Sequence, residues 1–182
     1  MKTRVELINN LTSYTTNFKE EQLLVPQFLT LLQSSRCYYR DHLYGHITGS
    51  AWIVDENKTH VLLIHHNNLN RWLQPGGHAD GDENILNVAI REANEETGLT
   101  NLTQLTPGIF DLDIHPIPAR KGFSEHLHFD VRFLFEASIK DKLKISDESS
   151  DLKWINLEEV PTLTQNNASI LRMIKKLEAI AN

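Results

Sequence analysis

The stretch GGHADGDENILNVAIREANEETGL, from Gly76 to Leu99, restricts this chain more than any other. Between Glu83 and Thr97 it contains neither glycine nor proline. Asp80 or Asp82 is placed to cap a helix at its start, and Gly98 can take the left-handed conformation that ends one. At about 100° per residue, Leu86, Ile90, Ala93 and Thr97 share one stripe while Glu92, Glu95 and Glu96 crowd another. One face is therefore expected to pack and the other to collect negative charge.

That charge is badly placed for a helix on its own. Like-charged neighbours three and four residues apart repel, and the C-terminal end of the helix dipole disfavours anions. Arg91, four residues before Glu95, offsets only part of this. A divalent cation on the acidic face accounts for the arrangement, and oxygen ligands without thiolates suit Mg2+ or Mn2+. A solvated acidic helix is the plain alternative for three glutamates taken alone.

The rest of the chain bounds the choice. With 182 residues, 40% of them hydrophobic, it is long enough for one domain with a core and too short for two full ones. A net charge of -6 and a pI near 5.8 speak against a nucleic-acid polymer as partner, which calls for clustered Lys and Arg. Cys37 is the sole cysteine, which excludes an intrachain disulfide and a thiolate metal cluster and suits a reducing cytoplasm. No apolar run approaches the roughly 18 to 20 residues that span a bilayer, and the N-terminus lacks a signal-peptide core, so no membrane association is expected.

Residues 5–35 carry a helical pattern, with Val5, Ile8 and Leu11 on one stripe and Leu24, Phe28, Leu31 and Leu32 on another; Pro26 starts or kinks a helix. GHITGSAWIV (45–54) and HVLLIHH (60–66) read as neighbouring strands joined by a turn at DENK, and NNLNRWLQPGG as a loop. Further strands are expected near 105–114, in LHFDVRFLFEA and around LKWIN, with HPIPARKGFSEH a loop between the first two. Ile170, Leu171, Ile174 and Leu177 mark a packed terminal helix. The pattern predicts an α+β fold, a mixed sheet covered by helices.

The spacing from Gly77 is decisive. Gly77, five residues, Glu83, seven residues, then Arg91-Glu92-Ala93-x-Glu95-Glu96-x-Gly98-Leu99 matches G-x5-E-x7-R-E-U-x-E-E-x-G-U, the Nudix box, at every specified position. At average residue frequencies the fixed positions coincide by chance on the order of once in 10⁹ placements. The chain thus resembles the Nudix hydrolases from about residue 45 to 180, leaving residues 1–42 as an N-terminal helical appendage to a domain at 43–182.

The resemblance implies an α/β/α sandwich and a metal-dependent hydrolase that cleaves the pyrophosphate linkage of a nucleoside diphosphate derivative, of ADP-ribose or nucleotide-sugar type. It implies Glu92, Glu95, Glu96 and the Gly76 carbonyl as metal ligands, with Glu95 and Glu96 in the catalytic set and Arg91 and Glu83 holding the glutamates in position. A base is expected from a loop outside the box: Glu148 first, Glu125 second.

Arg71, Arg120, Lys121 and His78 are candidates to meet phosphate or substrate, and Trp72 or Phe123 to stack on a base or sugar. His126, His128 and Asp130 alternate along one strand and so share a face, a disposition open to a transition metal or to polar lining. Pro116 lies near where ADP-ribose-type members carry a proline. A ligand-binding module without turnover is the alternative, although it gives no reason to keep the repulsive glutamates. The N-terminal helices can form a homodimer surface, cover the site or close the core, and the sequence does not choose among these.

Overall fold

The computed structural model describes residues 3–67, 69–119 and 124–181. Three helices lead the chain: α1 (Arg4–Thr12), α2 (Lys19–Gln22) and α3 (Val25–Leu31). Strands β1 (Gly45–Val54), β2 (His60–His66), β3 (Arg71–Leu73) and β4 (Gly76–His78) precede the long helix α4 (Ile85–Thr97). Then follow β5 (Thr103–Gln104), β6 (Asp111–Ile117), β7 (His126–Glu136), β8 (Ser149–Asn156), α5 (Val160–Leu163) and α6 (Ala168–Ala181). The strands form one mixed sheet, so the expected α+β architecture is present.

β1 is the organising strand. It runs parallel to β7 over its whole length, from Gly45 opposite Leu127 to Val54 opposite Glu136. Its other edge pairs antiparallel with β4, through Thr48–His78, Gly49–Gly77 and Ser50–Gly76, while β2 meets it only at Val54–Val61. β2 pairs instead with β3 and β8. Every residue of β1 is buried, as a parallel strand covered on both faces requires.

The odd-numbered side chains of β1 and β7, Ile47, Ile53, Phe129, Val131, Phe133 and Phe135, join the core beneath α4 and the N-terminal helices. The even-numbered Trp52, Val54 and Leu134 pack on the other face with Met173 and Leu177 of α6. α4 lies directly on β1 because Gly49 leaves room: a Cβ there would stand 2.9 Å from the Ile85 carbonyl oxygen.

The N-terminal helices share this core. Leu7, Leu11 and Phe28 are fully buried in the same cluster as Ile47 and Phe129, and Phe28 meets Phe129 edge-on at 5.3 Å. Each such burial stabilises by about 1.5–3 kcal/mol. The buried stripe of α1 is Leu7 and Leu11, whereas Val5 is exposed, so the packing face is rotated from the one expected. Pro26 stands in the first turn of α3, starting it.

Several local expectations change. The segment 67–77 is not simply a loop, because it forms β3 and enters β4. Pro116 lies within β6 opposite Leu127, where an edge strand tolerates the missing N–H. The cap of α4 is Asn84, whose side chain accepts from the Asn87 N–H, and not Asp80 or Asp82. Asp80 is held by Arg40, and Asp82 accepts from the Asn84 N–H.

Candidate active site

The Gly76–Leu99 segment folds as β4, a turn and α4. Gly98 ends the helix at φ 76°, in the left-handed region. The buried face of α4 comprises Ile85, Val88, Ala89, Ala93, Glu96 and Thr97, while Leu86 and Ile90 are only partly covered. The packing stripe is thus shifted by one residue from the expected one, which carries Glu96 into the interior at 6% exposure.

The three glutamates consequently differ. Glu96 accepts a hydrogen bond from the Gly76 N–H at 2.8 Å. Burial pushes its pKa up to about 8; the Gly76 bond opposes this, while Glu92, Glu148 and Glu95 add to it. Burial also raises the Glu92 carboxyl, against the pull of Arg91, whose guanidinium donates to Glu92 Oε1 at 2.7 Å. The same guanidinium donates to the His78 carbonyl at 2.7 Å and stands 4.0 Å from Glu95, which is exposed. Arg91 therefore ties α4 to β4.

Glu148 lies in the loop before β8. Its backbone carbonyl accepts from the Asn67 N–H at 3.0 Å, its side chain is exposed, and its charge acts on both Glu92 and Glu96. Glu125 is also exposed. Glu83 faces elsewhere: it accepts from the Arg4 N–H at 3.0 Å and pairs with the Arg4 guanidinium at 3.2 Å.

Glu92, Glu95 and Glu96 thus stand in the last two turns of α4, with Glu96 on the Gly76 N–H and Glu148 within electrostatic reach. The set is all oxygen, with Glu96 held in a non-aqueous setting that only a cation or a proton relieves. These residues fit a hard divalent ion such as Mg2+ or Mn2+.

Among the described residues the remaining candidates scatter. Arg71 is exposed on β3. Trp72 packs against the second core cluster, with its ring 5.3 Å from His65 and the Lys153 ammonium 5.7 Å away. Arg120, Lys121 and Phe123 lie outside the described residues.

On the other face of the sheet is an arrangement the sequence reading caught only in part. Strand register aligns His46–His128–His115, then Thr48–Asp130–Asp113, then Ser50–Arg132–Asp111, with His78 beside Thr48. Asp130 accepts from Thr48, Ser50, Gln74 and Arg132, so it is a structural acceptor and not a free ligand. His46 was missed because its partners lie on β7 and β4, far away in sequence. The available signal was the alternation His46, Thr48, Ser50 in a strand otherwise apolar.

The model of the NUDIX domain matches residues 45–177. The chain belongs to the Nudix family. A probable DHNTP pyrophosphohydrolase of Lactococcus lactis subsp. cremoris is 28% identical over 162 residues, 86% of this chain and 91% of that protein. An asymmetrical bis(5'-nucleosyl)-tetraphosphatase of Mus musculus is 31% identical over 114 residues, covering 58% of this chain and 69% of the other. A crystal structure of a C. elegans Ap4A hydrolase binary complex superposes with a TM-score of 0.61 at 23% identity, over 74% of this chain and 96% of that one, which bears on the Nudix fold alone.

The protein is a Nudix pyrophosphohydrolase, an enzyme acting on phosphorus-containing anhydrides. Its relatives act on small nucleotide-derived molecules, by their names. No helix among the described residues is long and apolar enough to cross a membrane.

Proposed function

We propose that this enzyme hydrolyses a pyrophosphate linkage in a nucleotide derivative bearing two to four phosphates, using Mg2+ or Mn2+ held by Glu92, Glu95, Glu96 and the Gly76 carbonyl. The ADP-ribose and nucleotide-sugar types expected from the sequence fall within this class. The relatives named for DHNTP and for a bis(5'-nucleosyl)-tetraphosphate extend it to longer phosphate chains. The single observation carrying the reading is the buried Glu96 carboxylate, on the Gly76 N–H and under the charges of Glu92, Glu148 and Glu95.

A divalent ion held by these oxygens would supply neutralisation of phosphate charge and acidification of the attacking water. The water oxygen bonds to one phosphorus, the bridging P–O bond on its far side breaks, and the displaced phosphate leaves. Glu148, exposed and within electrostatic reach of Glu92 and Glu96, is assigned to take the proton of that water. Arg91 acts as a positioning residue: its bonds to Glu92 and the His78 carbonyl fix the helix against β4. Arg71 and Arg120 are assigned to substrate contact.

The test is hydrolysis of a panel containing ADP-ribose, a nucleotide-sugar, a nucleoside triphosphate and a dinucleoside tetraphosphate, with Mg2+ or Mn2+ and ¹⁸O-labelled water. Mass analysis then reports the substrate and the attacked phosphorus together. Inertness toward every compound with metal saturating overturns the proposal.

A further inference from the structure

The imidazoles of His46, His78 and His128 converge on the sheet face opposite α4. One ring nitrogen from each lies within 4.8 Å of the other two. Ring centroids are 5.0 Å apart for His46–His78 and 4.9 Å for both His46–His128 and His78–His128. Three strands, β1, β4 and β7, each contribute one ring, so the cluster is built by the sheet and not by a loop.

Three ring nitrogens of the cluster lack ordinary partners. His46 is 1% exposed, and both its nitrogens, like Nε2 of His128, are buried without a hydrogen-bond partner among the described residues. A buried imidazole with neither nitrogen satisfied is costly and calls for something to bond. Burial disfavours the charged form of all three rings, leaving the neutral lone pairs that bind metals.

The neighbours suit the same purpose. His126 stacks on His46 at 4.9 Å, and its Nδ1 meets the Ser124 carbonyl at 2.8 Å. A carbonyl only accepts, so Nδ1 carries the proton and Nε2 presents a lone pair. His115, 5.6 Å from His128, is oriented likewise by Asp113 at 3.0 Å. The nearby Arg40 charge is bound bidentately by Asp80, which removes most of its opposition to a cation.

We infer that His46, His78 and His128 form a second metal site, for a borderline transition ion of the Zn2+ type, separate from the carboxylate site. Imidazole nitrogens select such ions over Mg2+, which prefers oxygen. A tetrahedral ion with bonds of about 2.0–2.1 Å needs ligand nitrogens roughly 3.3–3.5 Å apart, within reach of small side-chain rotations from the present cluster. The fourth position is left to a water or to His126, whose ring stacks on His46. The two sites lie on opposite faces of β4, since Gly77 faces Glu92 while the alternate residue His78 faces His46.

The untagged full chain, stripped with chelator and then exposed to Zn2+ or Co2+ in millimolar Mg2+, tests this. About one transition ion per chain is expected after gel filtration, with the intense visible absorption of tetrahedral Co2+. His128→Gln and His46→Gln should weaken retention at least tenfold, while Glu96→Gln leaves it unchanged. ¹⁵N resonances of the wild-type imidazoles read the same event without a variant: Zn2+ should shift ring nitrogens of all three histidines. Wild-type protein that retains no transition ion, retention lost in Glu96→Gln but kept in His128→Gln, or unshifted imidazoles overturn the site.

Discussion

A Cβ at Gly77 would lie 2.5 Å from the Glu92 carboxyl, so glycine at 77 is what lets Glu92 stand where it does. Gly77→Ala must push that carboxylate aside or separate β4 from α4. A displacement of about an ångström in a catalytic group costs on the order of 10²-fold. We expect kcat to fall by about 10- to 100-fold while the thermal midpoint moves little. Unchanged kcat at saturating Mg2+ would show that the position of Glu92 is not needed for turnover.

Glu96 makes metal and pH act on stability. Its folded pKa, near 8, exceeds the ordinary carboxylate value. Its contribution to stability is therefore fully present below about pH 4.5 and is lost as pH rises through about 8. In chelator at pH 8, Glu96→Gln should melt higher than wild type, by roughly 2–4 °C for about 1 kcal/mol. Adding Mg2+ should raise the wild-type midpoint and leave the variant nearly unmoved. A lower midpoint for the metal-free variant would contradict this account.

The assignment of the base to Glu148 and not Glu125 is tested by kinetics. Glu148→Gln is expected to reduce kcat by about 10² or more, with KM nearly constant, and Glu125→Gln to change neither appreciably. Steady-state kinetics on the best substrate of the panel checks both. Full activity in Glu148→Gln would remove it from the mechanism.

Glu21 joins the N-terminal segment to the rest of the molecule. Fully buried, it accepts from Tyr14 at 2.6 Å, from the Leu112 N–H at 2.9 Å, and from Lys176 of α6 at 2.5 Å. Glu21→Ala leaves Lys176 beside Asp111 without its second anion and strands the other donors. A loss of about 3–5 kcal/mol in denaturant unfolding is expected, the usual cost of breaking a buried pair. A loss below about 1 kcal/mol would show that α1–α3 are not held to the sheet by this contact.

The glutamate helix was legible because its determinants are local. The run without glycine or proline, the glycine at 98 and the box spacing all act within a few turns of chain. The face it buries was less legible: Glu96, a charged residue, lies inside, and no periodicity argument places a charge there. Likewise β3 and β4 hide in a polar segment, since three-residue strands exist only through the ladders with β2 and β1.

The sequence by itself determined the family, the acidic helix and its ends, and the expectation of a hard divalent ion, because fixed spacings on a helix carry their own geometry. Only the tertiary structure decided that Glu96 is buried on the Gly76 N–H, that Glu83 turns to Arg4, and that the first helices belong to the core. It alone also gathered His46, His78 and His128, through the parallel register of β1 with β7 and the pairing of β1 with β4. Strand neighbours are chosen by long-range packing, which no local pattern encodes.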